Sequence, residues 1–400
     1  MARSAPHPRW LRRALIVAGI VLLAANLRGP ISAVGPVLDQ VTTDLALSTV
    51  AVSALTAAPV LCFGAVGAAT PHLVRRVGLD GAAVTALLLL TIGLLLRSGP
   101  TVETLFLGTV LAASAIAVGN VLLPTLVKRD APRHPGVITG VYTTTLTSSA
   151  AIGAATAVPI SAAYGWRVGL GIWALAATAA LAIWAPRLRG RHGEIITTRR
   201  GPGVPSLLRV PLAWQVTIYM ALQSGVFYAA LAWLPSIYRA SGIGANEAGL
   251  LLALVTVSGI PMALVVPAWA ARCRDQRAFP LVLTLITTTG LLGLLIAPTA
   301  APLLWAVLIG LGLGGNFPLA LTLIVLRTAR PSDTSALSTM VQGLGYLLAA
   351  AVGPFAVGVL QDVSGGWSLP LAFLVVLALP QAWAGWGAGR SLVIGEDRPA

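Results

Sequence analysis

Charge is scarce in this sequence of 400 residues: 10% are Asp, Glu, Lys or Arg against 57% hydrophobic, and the mean hydropathy is +0.88. A soluble globular chain carries about 25% charged residues, so these residues cannot supply a water-facing surface of ordinary size. Cysteine is limited to Cys62 and Cys273, too few for a disulfide framework or a metal cluster. The histidines, His7, His72, His134 and His192, are scattered over separate connecting segments. An enzyme working on lipid-linked substrates would need His, Asp or Glu clustered at a membrane face, so no enzyme is expected. The phosphate-loop pattern G-x-x-x-x-G-K-[ST] is missing, which argues against nucleotide hydrolysis. Gly312-x-Gly314-Gly315 lies inside an apolar run and not after a soluble strand, so a dinucleotide site is not expected either. Neither a cofactor nor a metal is called for.

What is present is a succession of long apolar runs. A membrane-spanning helix needs roughly 20 apolar residues, and such runs fall near 13–37, 48–70, 81–98, 104–126, 137–160 and 166–185. Six more lie near 213–238, 246–271, 280–297, 302–326, 335–360 and 367–389. Strands of a membrane barrel would be about half as long and would alternate. The sequence predicts an all-α integral membrane protein with twelve transmembrane helices. Its parts are a tail over 1–12, a six-helix bundle over 13–186, a linker over 187–212, a second six-helix bundle over 213–389 and a tail over 390–400. Arg12 and Arg13 ahead of the first run resemble a signal peptide, but the run resumes past Arg28 and eleven others follow, so it reads as a span.

The net charge of +14 is explained by where the basic residues sit. All but Arg28, Arg97, Arg167 and Arg239 fall in the two tails and in alternate connections. By the positive-inside rule both termini are cytoplasmic, and the basic segments face anionic lipid headgroups and not nucleic acid. The longest connection, with Arg187, Arg189, Arg191, Arg199 and Arg200 around Gly201-Pro202-Gly203, reads as a topology-fixing linker.

The halves repeat. Pro71 and Pro267, Arg76 and Arg272, and Gly119-Asn120 and Gly315-Asn316 recur at one offset, and Pro159 and Pro354 at one residue less. Matched halves of this kind are the mark of a parallel-repeat transporter, whose solute site is expected at the repeat interface near the bilayer midplane.

Among the charged residues only Arg28 falls near the middle of a span, about 21 Å along a helix that begins near Ala14. A charge at that depth costs at least about 2.5–3.5 kcal/mol, and no acidic residue lies deep in a span as a fixed counter-ion. Arg28 is therefore expected to offer its guanidinium to an anionic or strongly dipolar solute; satisfaction by helix carbonyls is the plainer alternative. Asn26 shares its span, and Pro30 removes a backbone hydrogen bond and can open a kink. Asn120 and Asn316 sit mid-span, where solute contact and helix-to-helix hydrogen bonding are about equally expected. Gln223 with Phe227, Ser224 with Tyr228, and Gln342 with Tyr346 are i,i+4 pairs suited to a cavity wall. Tyr142 heads a Thr/Ser-rich run, most of whose hydroxyls are expected to bond back to their helix. Trp233 reads equally as an interface-belt residue or a gate. A proton, if one is coupled, must travel with the solute or around Arg28.

Four stretches are similar to the major facilitator superfamily, and within it to the branch of cyanate permeases and 2-nitroimidazole transporters. They are Asn26-Leu27-Arg28-Gly29-Pro30 with Val34-Gly35-Pro36; Gly119-Asn120 through Pro124 to Lys128-Arg129; Leu222-Gln223-Ser224 through Phe227-Tyr228 to Trp233-Leu234-Pro235; and Gln342 through Tyr346 with Gly353-Pro354 and Gln361-Asp362 to Trp367. The resemblance covers nearly the whole chain. It implies two pseudo-symmetric six-helix bundles in the inner membrane that work as a monomer by alternating access on a small polar solute, with or without a proton. It implies Arg28 as the anchor. The candidate solute contacts are Arg28, Asn26, Asn120, Tyr142, Gln223, Phe227, Tyr228, Asn316, Gln342 and Tyr346, and the candidate gating residues are Pro30, Trp233, Arg75 and Arg76. An exporter of drugs or other toxic compounds is the alternative. The segment 67–78 lacks the Asp that the superfamily often places ahead of its basic residues, which puts a salt-bridged inner gate in doubt; Asp80 is a poor substitute.

Overall fold

The structure is a computed structural model that describes residues 9–189 and 204–395. Its helices are α1 (Arg9–Ser32), α2 (Leu38–Asp44), α3 (Thr49–Arg97), α4 (Val102–Asp130), α5 (Pro135–Tyr164), α6 (Trp166–Gly171), α7 (Trp173–Arg189), α8 (Val204–Leu207) and α9 (Pro211–Ala240). They continue with α10 (Ala245–Ala270), α11 (Ala278–Ile296), α12 (Pro302–Leu326), α13 (Pro331–Ala350), α14 (Ala356–Ser364), α15 (Ser368–Val376) and α16 (Ala378–Ala388). Among the described residues there is one isolated β-bridge, Thr328 to Ile394.

Among the described residues, eleven helical segments are long and apolar enough to cross a membrane. The twelfth span is hidden in α3, whose 49 residues carry two apolar runs joined at Gly78, where φ is 74° and helical geometry breaks. The left-handed conformation is open to glycine at little cost. Other spans are also built from pieces. The sixth joins α6 to α7, the eleventh passes from α13 through a π-turn at Ala351–Phe355 into α14, and the last joins α15 to α16. The helices run past the edges of the expected linker, α7 reaching Arg189 and α9 starting at Pro211.

The chain divides into two compact units, Met1–Leu126 with Thr145–Thr197, and Val127–Thr144 with Thr198–Ala400. Unit 1 has a core of Ala33, Val37, Val41, Leu55, Leu105, Ala157, Trp166 and Leu170. On its polar rim Asp44 accepts from the Trp166 indole at 3.1 Å and pairs with Arg167 at 2.9 Å. These two donors, the indole first, hold the Asp44 carboxyl below its ordinary value of 3.8.

Unit 2 is built around α9. A Cβ on Gly353, in the π-turn, would lie 2.3 Å from the Gly225 carbonyl oxygen and 2.7 Å from its Cα, so α9 and the eleventh span touch backbone to backbone, as small residues permit in membranes. The ends of α4 and α5 belong to this unit. Lys128 donates to the Val325 carbonyl at 3.2 Å and Thr143 to that of Ala263 at 3.3 Å. Arg327, just past α12, donates to the carbonyls of Ala388 and Gly389 and to the Gln276 side chain, tying α16 to the connections around it.

Candidate solute site

In unit 1 the partly exposed residues Val21, Ala25, Arg28 and Ser32 form one stripe on α1, while Leu27, Gly29 and Pro30 are buried. Arg28 thus stands on an incompletely covered face with small neighbours one turn before and after it. Its helix is held closely: a Cβ on Gly29 would lie 2.2 Å from the Trp173 ring, and one on Gly153 would lie 2.4 Å from the Gly29 carbonyl oxygen. Asn26 points the other way. It is fully buried and donates to the carbonyls of Leu22 at 2.8 Å and Ala176 at 3.2 Å, which makes it a tie between α1 and α7. Asn120 is partly exposed on α4.

Unit 2 gathers the aromatic candidates. Phe227 and Tyr228 meet edge to face with centroids 5.3 Å apart, and Tyr228 meets Tyr346 in the same manner at 6.4 Å, a geometry aromatic pairs prefer. Tyr142 is 1% exposed, and its hydroxyl has no hydrogen-bond partner. Gln223 donates to Met220 and, at 2.6 Å, to the Ser224 hydroxyl, while its carbonyl oxygen is buried without a partner. Buried polar atoms are nearly always satisfied, so such exceptions call for an explanation such as a ligand or water. Gln342 donates to Ser338 at 2.9 Å within its own helix.

Asn316 is engaged differently. Its oxygen accepts from the Tyr219 hydroxyl at 2.5 Å, with both residues fully buried, which is the helix-to-helix bond and joins α9 to α12. Tyr219 is a residue the sequence reading passed over; it lies one turn before Gln223, and that spacing was its only signal. Trp233 donates to the Pro354 carbonyl at 3.0 Å and stacks near Trp367 at 5.6 Å, so it is fixed inside unit 2. Pro30 is buried and its carbonyl accepts from Arg97. Arg75 and Arg76 are exposed, and Arg75 lies 3.2 Å from His72. Asp80 pairs with Arg187 at 3.4 Å, and the Arg187 guanidinium stacks over Trp184.

Arg97 corrects an expectation. It reads as one of the few basic residues of an outside connection, yet it is the last residue of α3 and only 3% exposed. Its two terminal nitrogens donate to the carbonyls of Pro30 at 3.0 Å and Leu170 at 3.3 Å.

Eleven apolar helical segments among the described residues, one of which belongs to a helix that carries two apolar runs, and buried polar groups with capacity left over describe a multi-pass membrane protein. The chain belongs to the Major Facilitator Superfamily, whose family model matches residues 14–350. A protein of Bacillus subtilis described as an uncharacterized transporter is 38% identical over 392 residues, 97% of each chain. The 2-nitroimidazole transporter of Escherichia coli is 35% identical, covering 94% of this chain and 96% of its own. The cyanate transport protein of Escherichia coli is 31% identical, covering 88% and 92%. The fold matches the proton:xylose symporter XylE with a TM-score of 0.78 at 12% identity over 97% and 98% of the chains. It also matches the human organic anion transporter MFSD10 with a TM-score of 0.71 at 13% identity over 95% and 100%.

Proposed function

We propose that this chain carries a small anionic or dipolar solute, of the cyanate or nitroimidazole kind, across the cytoplasmic membrane by alternating access, with both termini cytoplasmic and the protein acting as a monomer. The observation that carries the reading is the position of Arg28 on the incompletely covered stripe of α1. A mid-span guanidinium facing hydrocarbon would cost at least about 2.5–3.5 kcal/mol, so an uncovered face bearing one belongs to a polar path. A planar fork with several donors suits a compact anion or a nitro group, which offers two oxygens side by side.

The edge-to-face cluster of Phe227, Tyr228 and Tyr346 supports a flat solute, and the spare Gln223 carbonyl and Tyr142 hydroxyl supply polar contacts for it. Relatives named for 2-nitroimidazole and for cyanate at 35% and 31% identity support the same class. Asn26 and Asn316 each tie two helices together and keep one buried amide atom, Asn26 Oδ1 and Asn316 Nδ2, without a hydrogen-bond partner. A coupled proton, where one is used, travels with the solute.

The test is uptake of cyanate, 2-nitroimidazole, nitrate and small carboxylates into liposomes carrying wild type, Arg28→Ala, Arg28→Lys or Gln223→Ala. Loss of saturable flux in Arg28→Ala, with the protein still monodisperse, supports the anchor. Unchanged flux in that variant, together with transport of neutral apolar drugs, would reassign the chain as a drug exporter.

A further inference from the structure

Unit 2 gathers exposed aromatic and basic side chains where three of its spans end. Trp269, in the last turn of α10, meets Phe279, at the start of α11, edge to face at 5.4 Å. Arg272 follows directly on that turn, its backbone N–H donating to the Trp269 carbonyl at 3.0 Å. Arg277 lies over the Trp386 ring of α16 at 5.2 Å. The two helices are pressed together beside it, since a Cβ on Gly385 would fall 2.4 Å from Pro280 and one on Gly389 2.6 Å from the Arg277 Cα. Trp269, Trp383 and Trp386 are 61%, 63% and 46% exposed. Elsewhere in unit 2, Trp214, Trp233 and Trp305 each give their indole N–H to a backbone carbonyl, whereas these three have no such acceptor among the described residues. Arg272 and Arg274 are exposed as well, and their guanidinium groups pair with nothing among the described residues. Asp275, the one acid of this connection, is already turned to Arg277 at 3.4 Å.

We propose that this edge of unit 2 binds an anionic phospholipid, whose phosphodiester is received by Arg272 and Arg274. Guanidinium donors match phosphate oxygens, and basic clusters at the ends of membrane helices attract acidic headgroups. The free indole N–H groups supply donors for the glycerol ester oxygens, the place tryptophan takes at a membrane interface. One to two turns further into the same three helices, Val265, Val282, Leu285 and Leu379 are each more than half exposed and meet the acyl chains. With Asp275 engaged by Arg277, no carboxylate of this connection is left to receive the ammonium of a zwitterionic headgroup. Such a site is more specific than the general attraction of basic connections to acidic lipid, and it is independent of the solute reading.

The experiment is titration of the full chain, delipidated in detergent, with dioleoyl phosphatidylglycerol and with dioleoyl phosphatidylcholine, bound lipid being counted by native mass spectrometry. Wild type is compared with Arg272→Gln/Arg274→Gln and with Trp269→Leu, which keeps apolar area but removes the ring and its N–H. The control is Arg133→Gln/Arg209→Gln, which removes the same charge from exposed arginines elsewhere in unit 2. Wild type binds phosphatidylglycerol about 10-fold or more tighter than phosphatidylcholine. Arg272→Gln/Arg274→Gln weakens phosphatidylglycerol binding about 30-fold, the combined effect expected of two basic groups at a lipid surface, while the control stays within about twofold of wild type. Trp269→Leu weakens it roughly 3- to 10-fold. Equal affinity of wild type for the two lipids overturns the proposal. So does unchanged binding in the Arg272/Arg274 or Trp269 variant, or an equal loss in the control, which would reduce the effect to unspecific charge. Displacement of the lipid by millimolar glycerol 3-phosphate overturns it too, because the site would then take a free phosphate. Should the Arg272/Arg274 variant fail to elute as a monodisperse species, Arg274→Gln alone takes its place, with a loss of about fivefold expected and no loss overturning the proposal.

Discussion

Gly353→Ala should damage this protein far more than Gly225→Ala, although the two glycines face each other across one helix contact. A methyl on Gly353 would lie 2.3, 2.7 and 2.8 Å from the oxygen, Cα and carbonyl carbon of Gly225, all backbone atoms, whereas ordinary contacts lie at 3.4–4 Å. To relieve this, α9 and the eleventh span must part by about 1 Å along a contact whose value is close backbone approach. A methyl on Gly225 meets the tip of Val352 at 3.1 Å and the backbone Ala349 oxygen and Gly353 nitrogen at 3.3 and 3.5 Å, which a rotation of Val352 and a backbone shift of a few tenths of an ångström absorb. Overpacking a tight interior costs about 1–3 kcal/mol. Gly353→Ala belongs at or above the top of that range and Gly225→Ala at or below its bottom. A difference of about 2 kcal/mol is roughly a 30-fold difference in the unfolding equilibrium. Denaturant or thermal unfolding of the purified variants in one detergent reads it. Because α9 also carries Gln223, Phe227 and Tyr228, Gly353→Ala should lower solute affinity as well. Equal stability of the two variants, or a more severe Gly225→Ala, would refute the backbone-contact argument.

Tyr219→Phe leaves the buried Asn316 oxygen without its donor and should destabilise by about 1–2 kcal/mol while leaving the uptake KM unchanged; a raised KM would move Asn316 into the solute site. The Asp44 carboxyl is held below 3.8 by Trp166 and Arg167, so its stabilising effect is complete above that value and is lost as pH falls through the lower folded-state value. Midpoints of thermal unfolding measured from pH 6 down to 3 should therefore fall less steeply in Asp44→Asn than in wild type, and parallel curves would contradict this. Arg327→Met removes the donor shared by Ala388, Gly389 and Gln276 and should speed proteolysis near the α16 end, with no change if the tie is incidental.

Much of the fold is readable from composition and spacing, because a bilayer demands about 20 apolar residues per crossing and the repeat is marked by Gly119-Asn120 and Gly315-Asn316. Three features escape that reading for physical reasons. The apolar pattern separates the runs 48–70 and 81–98 but does not show that one helix, α3, carries both with a kink at Gly78. Arg97 sits where a topology-setting surface charge is expected, and its burial depends on carbonyls supplied by Pro30 and Leu170, far away in sequence. Asn120 and Asn316 are repeat mates, yet Asn316 is occupied by Tyr219, and position 23, where the repeat offset would place a counterpart, is Leu. Duplicated sequence therefore does not guarantee duplicated hydrogen bonding. Conversely, Arg28 stands out in the sequence because an isolated mid-span charge is expensive wherever it points.

The most direct test of the account is solute binding and liposome flux in Arg28→Ala and Arg28→Lys beside wild type, each shown to be folded by its elution profile and melting midpoint. The account predicts that a cyanate- or nitroimidazole-class solute binds wild type, that Arg28→Ala abolishes both binding and saturable flux, and that Arg28→Lys recovers part because charge returns without the planar fork. Normal transport by folded Arg28→Ala would contradict it.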